Sequence, residues 1–174
     1  MAIALWQATT DDQERFRRLY DLYSYDFSEI YQLDVDDTGS YGSDDLAGCW
    51  VESWRIPFLF RVDGKLGGFA IVDHRNHLTD DTDVWDMAEF FVLRKYRRRG
   101  IGRHVAGRLF AMFPGQWEVR QAAKNIGAQA FWRRVIADYT HSRFTEVIVH
   151  GERWHGPVQR FESRVLLSSQ HEWS

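Results

Sequence analysis

The sequence predicts a single α/β domain in which strands alternate with amphipathic helices. The chain has 174 residues, which is the usual size of one domain. Hydrophobic residues make up 44% of it and aromatic residues 16%, so a sizeable core can form and a disordered chain is excluded. Apolar residues recur at strand spacing in some segments and at helical spacing in others. We therefore expect one domain over residues 1–174.

The first half of the chain predicts one strand, three helical segments and a β-hairpin. Thr10 and Gln13 have the spacing of a capping box, and the apolar residues after them have helical spacing. Asp63-Gly64 lies between two apolar runs and predicts a hairpin turn, because these residues tolerate positive φ angles. The predicted segments are a strand over residues 2 to 8, helices over 16 to 23, 25 to 32 and 46 to 54, and strands over 58 to 62 and 66 to 72.

The second half predicts two strands that each precede a helix, and then a final hairpin. Gly100 opens the first of these helices and Pro114-Gly115 ends it. A polar loop over residues 73 to 83 comes before this part of the chain. The predicted segments are strands over 84 to 92 and 117 to 121, helices over 101 to 112 and 128 to 136, and hairpin strands over 143 to 149 and 158 to 166.

Charge is distributed unevenly although the formal net charge is only -3. Residues 21 to 45 contain eight acids and no Lys or Arg, whereas residues 94 to 117 contain seven basic residues and no acid. The two segments therefore carry opposite electrostatic fields, and together they allow a site with one anionic and one cationic side.

The compartment is indicated by cysteine usage and by the absence of long apolar runs. Cys49 is the single cysteine and cannot form an internal disulfide, so we expect a reducing environment. The first residues lack the pattern of a signal peptide, and no apolar run approaches the roughly 20 residues that cross a bilayer. We expect a cytoplasmic protein with no membrane partner.

A basic loop and two glycines stand between a predicted strand and the helix opened by Gly100. Unpaired amides at a helix start, the helix dipole and close backbone approach at glycine all favour an anion such as a pyrophosphate. The ending of a Walker loop and the third glycine of a dinucleotide fingerprint are both missing. Because the rest of the chain is acidic, we expect no nucleic acid partner.

This loop carries a family resemblance. Arg97-Arg98-Arg99-Gly100-Ile101-Gly102 resembles the Gln/Arg-x-x-Gly-x-Gly/Ala signature of the GNAT superfamily of acetyl-CoA-dependent N-acetyltransferases. Asn125-x-x-Ala128-x-x-Phe131-Trp132 is similar to a helix motif of the same family, and the order of predicted elements agrees with the family fold. The resemblance implies a mixed, mostly antiparallel central sheet flanked by helices, with two splayed central strands.

The resemblance also implies acetyl-CoA as cosubstrate and a place for each part of it. The pantetheine arm would enter between the strands over 85 to 92 and 117 to 121 and pair with the main chain there. Pyrophosphate would lie on the basic loop, and the last helix would line the far side. The implied cofactor residues are Phe91, Val92, Leu93, Arg97, Arg98, Arg99, Gly100, Ile101, Gly102, Arg103, Asn125, Phe131 and Trp132.

Two carboxylates on one predicted strand are candidates for the general base of acetyl transfer. Glu89 is the first choice, directly or through a water, and Asp86 is the second. In a regular strand the three-residue spacing puts them on opposite faces of the sheet. A β-bulge, which this family often has there, adds one residue and could bring either carboxylate to the acceptor side.

The general acid is where the sequence departs from the family. A tyrosine usually follows the helix phenylalanine and protonates the leaving thiolate, but Trp132 stands there, and an indole N–H does not give up its proton. Tyr139 is the candidate substitute; otherwise the thiolate leaves into water while Trp132 packs on the cofactor.

The resemblance implies that the acceptor amine binds after the first strand, and here the acidic and aromatic stretch over residues 20 to 31 is expected to bind it. Tyr23, Asp26, Phe27 and Tyr31 would suit an amine of a small molecule or peptide through charge and ring faces. Tyr23 and Phe27 also fit the buried stripe of a helix, which stays the competing interpretation.

The remaining expectations concern metals, partners and the alternative function. The acidic stretches over 34 to 45 and 73 to 83 lack the spacing of calcium or zinc ligands, so no metal is expected. A homodimer is compatible with the aromatic-rich composition. The alternative to an enzyme is a non-catalytic acyl-CoA-binding module that contacts a partner protein.

Overall fold

A seven-stranded sheet forms the centre of the computed structural model, which describes residues 1–42 and 46–164. Its strand order is β1-β2-β3-β4-β5-β7-β6, and every neighbouring pair is antiparallel except β4 with β5. The strands are β1 (Ile3–Gln7), β2 (Arg55–Val62), β3 (Lys65–Asp73), β4 (Val84–Val92), β5 (Gly115–Arg120), β6 (Thr145–His150) and β7 (His155–Ser163). The predicted mixed, mostly antiparallel sheet is confirmed.

Helices cover both faces of this sheet, and each face has its own apolar cluster. The helices are α1 (Gln13–Tyr31), α2 (Gly48–Val51), α3 (Ile101–Met112) and α4 (Ile126–Thr140). α3 and α4 pack on one face around fully buried Phe110 and Trp117. α1 and α2 pack on the other face around Phe16 and Phe69. Buried aromatic rings of this size dominate core stability.

Three sequence-based boundaries are wrong. α1 runs without a break to Tyr31 and ends at Gln32 in a left-handed conformation, so no separate helix covers residues 25 to 32. The capping interaction joins Thr9 and Asp12 of a preceding 3₁₀ turn, rather than Thr10 and Gln13, and the Asp12 carboxylate accepts the Thr9 N–H. The helix predicted over 46 to 54 is the single turn α2, because Glu52 is already extended.

The hairpins agree better with prediction. Asp63-Gly64 joins β2 and β3, and both residues have positive φ. β4 has the predicted bounds. The last hairpin forms too, although residues 165 and 166 of its predicted second strand lie outside the described residues. Within the described residues, no helix is long and apolar enough to cross a membrane.

A β-bulge in β4 decides which way two carboxylates point. Ile71 of β3 pairs with Glu89, and the next residue of β3 pairs with Met87, so Ala88 is the extra residue. Asp73, two residues beyond Ile71, pairs with Asp86. Because side chains directly opposite each other share a face and residues two apart on a strand do as well, Asp86 and Glu89 lie on the same face.

Candidate active site

The sheet opens between β4 and β5. These parallel strands pair only at their starts, and beyond that point each strand continues without the other, which confirms the predicted divergence. The three paired positions are Val84 with Gln116, Trp85 with Trp117, and Asp86 with Glu118. The second half of β4 therefore borders a gap in which an extended ligand could contact main chain.

The start of α3 lies beside this opening and has the geometry of an anion site. Arg98 and Gly100 both have left-handed φ angles, +60° and +78°, so the chain turns sharply before the helix. The N–H groups of a first helical turn have no intrahelical partner. A Cβ on Gly102 would lie 3.1 Å from the Phe131 ring, so glycine lets this turn approach α4 closely. Arg98, Arg99 and Arg103 are exposed around it.

Two predicted ligand-binding residues bind each other instead. Asp26 of α1 forms ion pairs with Arg94 (2.7 Å) and with Arg97. Arg97 also donates its Nε–H to the carbonyl oxygen of Val92 at 2.7 Å. Sequence reasoning placed Asp26 with the acceptor and Arg97 with the pyrophosphate, whereas the structure ties α1, the end of β4 and the basic loop together through this pair.

Main-chain groups at the end of β4 are partly engaged. Leu93 donates its N–H to the carbonyl oxygen of Gly67 at 2.8 Å, so that amide, predicted to pair with pantetheine, already has a partner. Phe91 packs in the cluster beneath α1, while Val92 packs against the α3 and α4 side. Of the three predicted main-chain partners, Phe91 and Val92 border the opening.

Glu89 lies under α1 among tyrosines. The Tyr23 hydroxyl donates a hydrogen bond to Glu89. Burial, together with the Glu89 charge, raises the pKa of Tyr23 well above its usual value, so this hydroxyl stays protonated as a donor. Burial and Glu89 also raise the pKa of Tyr31, whose ring stacks on Phe27 at a centroid distance of 5.7 Å. Of the predicted acceptor residues, Tyr23 thus contacts the predicted base, and the charge of the base also acts on Tyr31.

Asp86 is held in an ion pair inside the protein. It is 1% exposed and accepts two hydrogen bonds from Arg120, at 3.0 Å from Nε and 3.2 Å from Nη2. The Arg120 guanidinium lies 4.7 Å from the Trp154 ring centre. Sequence reasoning did not single out Arg120; the signal was a charged residue within the predicted strand over 117 to 121.

A second buried pair lies beside the first on the same face. Arg55 donates to Asp73 at 2.6 Å, and Asp73 Oδ1 has no hydrogen-bond partner. Burial outweighs the Arg55 guanidinium and raises the pKa of Asp73 to about 6, with Asp86 adding to the rise. Sequence reasoning considers Asp73 only within the acidic stretch over 73 to 83 that lacks metal-ligand spacing, and it does not single out Arg55.

This raised pKa predicts a pH-dependent loss of stability. The Asp73 pKa rises from 3.8 to about 6 on folding, so between these values the folded protein holds a proton that the unfolded chain has lost. The contribution is present below pH 4 and disappears as the pH rises through 6, a change of about 3 kcal/mol in the free energy of unfolding. Urea unfolding of the wild type and Asp73→Asn should show the free energy of unfolding of the wild type falling relative to that of the variant from pH 4 to pH 7. Parallel pH profiles of the two proteins would contradict it.

The structure places the predicted acid Tyr139 away from Glu89 and buries Trp132, which stands where the family usually has its tyrosine. Trp132 is 6% exposed and packs edge-on against Phe90, 5.1 Å between ring centres. The Tyr139 hydroxyl bonds to Ser163 Oγ at 2.8 Å, and Ser163 pairs with Gly115 at the closed start of β5. The structure therefore does not bring Tyr139 together with Glu89 and does not support it as the acid.

The remaining predicted cofactor residues have structural contacts. The Asn125 side chain accepts the Ala128 N–H at 3.0 Å and caps the start of α4. Ile101 is fully buried in the core. In the described part of the chain, no group of three or more His, Cys, Asp or Glu residues is arranged to hold a metal ion.

Comparisons with known proteins agree on one family. The model of the acetyltransferase (GNAT) family matches residues 7–136. No curated protein matches the sequence significantly. An acetyltransferase from Thermus thermophilus has 16% identity and a TM-score of 0.70, over 93% of this chain and 97% of that one.

Two further solved structures resemble the fold at similarly low identity. The ribosomal-protein-S18-alanine N-acetyltransferase from Escherichia coli has 17% identity and a TM-score of 0.55, over 99% of both chains. The aminoglycoside acetyltransferase AAC(6')-Ib, in complex with coenzyme A, has 13% identity and a TM-score of 0.64, over 92% of this chain and 95% of that one. At sequence identities this low, the structural similarity shows a shared fold and no more.

Proposed function

The chain belongs to the GNAT acetyltransferase family, and from this premise we propose that it transfers an acetyl group from acetyl-CoA to a primary amine of a small molecule or peptide. The observation that carries the proposal is the opening between β4 and β5, with the start of α3 on one face of the sheet and Glu89 on the other. A cosubstrate and an amine could thus meet from opposite faces. The N-acetyltransferase and aminoglycoside acetyltransferase among the structural neighbours support an amine acceptor.

The chain offers groups that fit each part of acetyl-CoA. First-turn amides of α3 and the exposed Arg98, Arg99 and Arg103 suit a pyrophosphate. The second half of β4 pairs with β3 on one edge, and its other edge, which β5 leaves free beyond Asp86, suits the amide-bearing pantetheine arm. Acetyl-CoA supplies the thioester that an amine can attack.

Glu89 is proposed as the base that removes a proton from the attacking ammonium, directly or through a water. The Tyr23 hydrogen bond orients its carboxylate and satisfies one acceptor position. We propose that the departing thiolate leaves into water, since Trp132 is buried and Tyr139 lies at the closed end of the opening.

The function is tested by following thiol release from acetyl-CoA across a panel of amines. The panel should contain polyamines, aminoglycosides, amino acids and peptides with free N-termini. Acetylation of at least one amine class, confirmed by product mass, is expected. Binding of acetyl-CoA with no transfer to any amine would favour the non-catalytic acyl-CoA-binding module.

Gly102→Val tests the pyrophosphate part of the site. The new side chain would press on the Phe131 ring and cover the amides of the first turn of α3. We expect the KM for acetyl-CoA to rise about tenfold or more, measured with saturating amine.

Gly107→Ala is the matched control in the same helix. A Cβ there meets only Tyr139 at an ordinary contact distance of 3.9 Å, and alanine favours helix. Its KM should stay at the wild-type value. An unchanged KM in Gly102→Val would contradict pyrophosphate binding at this turn.

A further inference from the structure

A cavity of about 340 Å³ is lined by Asp73, which lies on the Glu89 face of the sheet. It is bounded by the end of β3, the loop between β3 and β4, and the turn between β6 and β7. The residues that the argument uses from its lining are Trp54, Arg55, Asp73, Arg75, Asp80 and Arg153. None of them belongs to the segment of α1 that the sequence indicated as the acceptor side.

The floor of the cavity lies near the proposed base along β3. Ile71 pairs with Glu89, and Asp73, which lines the cavity, follows two residues later on the same face. This spacing separates the base from the cavity floor by about 7 Å along the strand. Arg55 connects them electrostatically: burial opposes its charge, but Asp73, Cys49 and Glu89 raise its pKa.

The charges of the cavity are balanced at its floor but not at its rim. On the floor, Arg55 and Asp73 neutralise each other in their ion pair. At the rim, Asp80 is shared by two arginines, with its Oδ1 at 3.2 Å from Arg75 and its Oδ2 at 2.9 Å from Arg153. One carboxylate therefore compensates two guanidinium groups.

Both rim arginines keep donors for a further anion. Toward the residues that the structure describes, Arg153 bonds only through Nη1, to Asp80 and the carbonyl oxygen of Leu78, and Arg75 only through Nη2. A guanidinium has five N–H donors in a planar fork that matches a carboxylate. The Arg75 guanidinium is also held 5.5 Å from the Trp54 ring centre, which restricts its motion.

We propose that this cavity is the second recognition site for the acceptor, and that it selects amines carrying a carboxylate that Arg75 and Arg153 bind, beyond the roughly 7 Å that separates the Glu89 position from the cavity floor. The inference rests on the proposed function, because Glu89 defines where the amine lies. Arg75 and Arg153 are specificity-determining residues in this account.

Three six-carbon probes test the proposal by NMR titration of the protein without acetyl-CoA. 6-Aminohexanoate carries the carboxylate, 1-hexylamine lacks it, and 1,6-diaminohexane replaces it with an ammonium. We expect 6-aminohexanoate to bind at least about tenfold more tightly than 1-hexylamine, and 1,6-diaminohexane to bind no better than 1-hexylamine. Equal affinities, tightest binding of the diamine, or no detectable binding of 6-aminohexanoate would each overturn the proposal.

Two charge-removing variants test whether the preference for 6-aminohexanoate over 1-hexylamine comes from the cavity. Arg153→Gln and Arg75→Gln should each remove most of the preference for 6-aminohexanoate and leave 1-hexylamine binding unchanged. Arg164→Gln, which removes an exposed arginine at the end of β7 paired with Glu162, is the matched control and should keep the preference. A preference that survives both cavity variants would contradict the assignment.

The titration tests the cavity proposal separately from the proposed function, because it measures binding and not acetyl transfer. Carboxylate-dependent binding without acetyl transfer to any amine would contradict the proposed function alone. Acetyl transfer that does not distinguish 6-aminohexanoate from 1-hexylamine in kcat/KM would contradict the cavity proposal alone.

Discussion

Replacing Glu89 with Gln is expected to lower kcat for amine acetylation by about 10²–10⁴-fold, the usual loss when a general base is removed. Gln keeps the size of the side chain and can still accept the Tyr23 hydrogen bond, but it cannot take the proton of the ammonium. The dissociation constant for acetyl-CoA should change little, because Glu89 lies on the face of the sheet opposite α3. Steady-state kinetics and calorimetry measure the two quantities.

Tyr139→Phe is the matched control for this prediction. It removes one hydroxyl, whose one bonding partner among the described residues is Ser163 at the closed end of β5. Its kcat should stay within about threefold of the wild type, because no proton transfer is assigned to it. A large loss in this variant with a small loss in Glu89→Gln would reverse the assignment of roles.

Asp86→Asn is expected to lower the free energy of unfolding by about 3 kcal/mol, since it leaves the Arg120 charge without its partner inside the protein. Such a loss is a large fraction of the stability of an ordinary domain. The turnover of the folded protein should fall far less than in Glu89→Gln, because Asp86 is already committed to Arg120. Urea unfolding and kcat at low temperature measure these effects.

Glu162→Gln provides the comparison with an exposed pair. Glu162 and Arg164 are both largely exposed, and such pairs contribute at most about 1 kcal/mol. If Asp86→Asn were as mild as this control while kcat fell about 10²-fold or more, Asp86 would be the base instead.

Local sequence patterns predicted most of the fold. The bounds of β4 and α3 follow from strand and helix periodicity, and the Asp63-Gly64 turn follows from its tolerance of positive φ. The second helical segment over 25 to 32 was separated from α1 although neither glycine nor proline interrupts Gln13–Tyr31. The position of β7 between β5 and β6 depends on long-range pairing, which local periodicity does not encode.

The site was less predictable, because its key contacts join distant parts of the chain. Spacing alone put Asp86 and Glu89 on opposite faces of β4, and only the bulge at Ala88 puts them on the same one. Asp26 and Arg97 were assigned to different ligands, yet 71 positions along the chain separate two residues that bond each other.

The pairing of the charged residues that line the cavity was also not foreseen. Arg55 and Asp73 end up as a buried pair because β2 and β3 bring together residues 18 positions apart. Arg153 reaches Asp80 across 73 positions, from the turn between β6 and β7. No motif marks such a cavity, since its charges converge only through the sheet.

The central claim is that acetyl-CoA binds at the start of α3 and along the opening between β4 and β5. Calorimetric titration of the purified protein with acetyl-CoA, with ATP as the control for phosphate attraction alone, tests it most directly. The account predicts a dissociation constant on the order of micromolar for acetyl-CoA and clearly weaker binding of ATP. Absence of acetyl-CoA binding, or equal affinity for ATP, would contradict it.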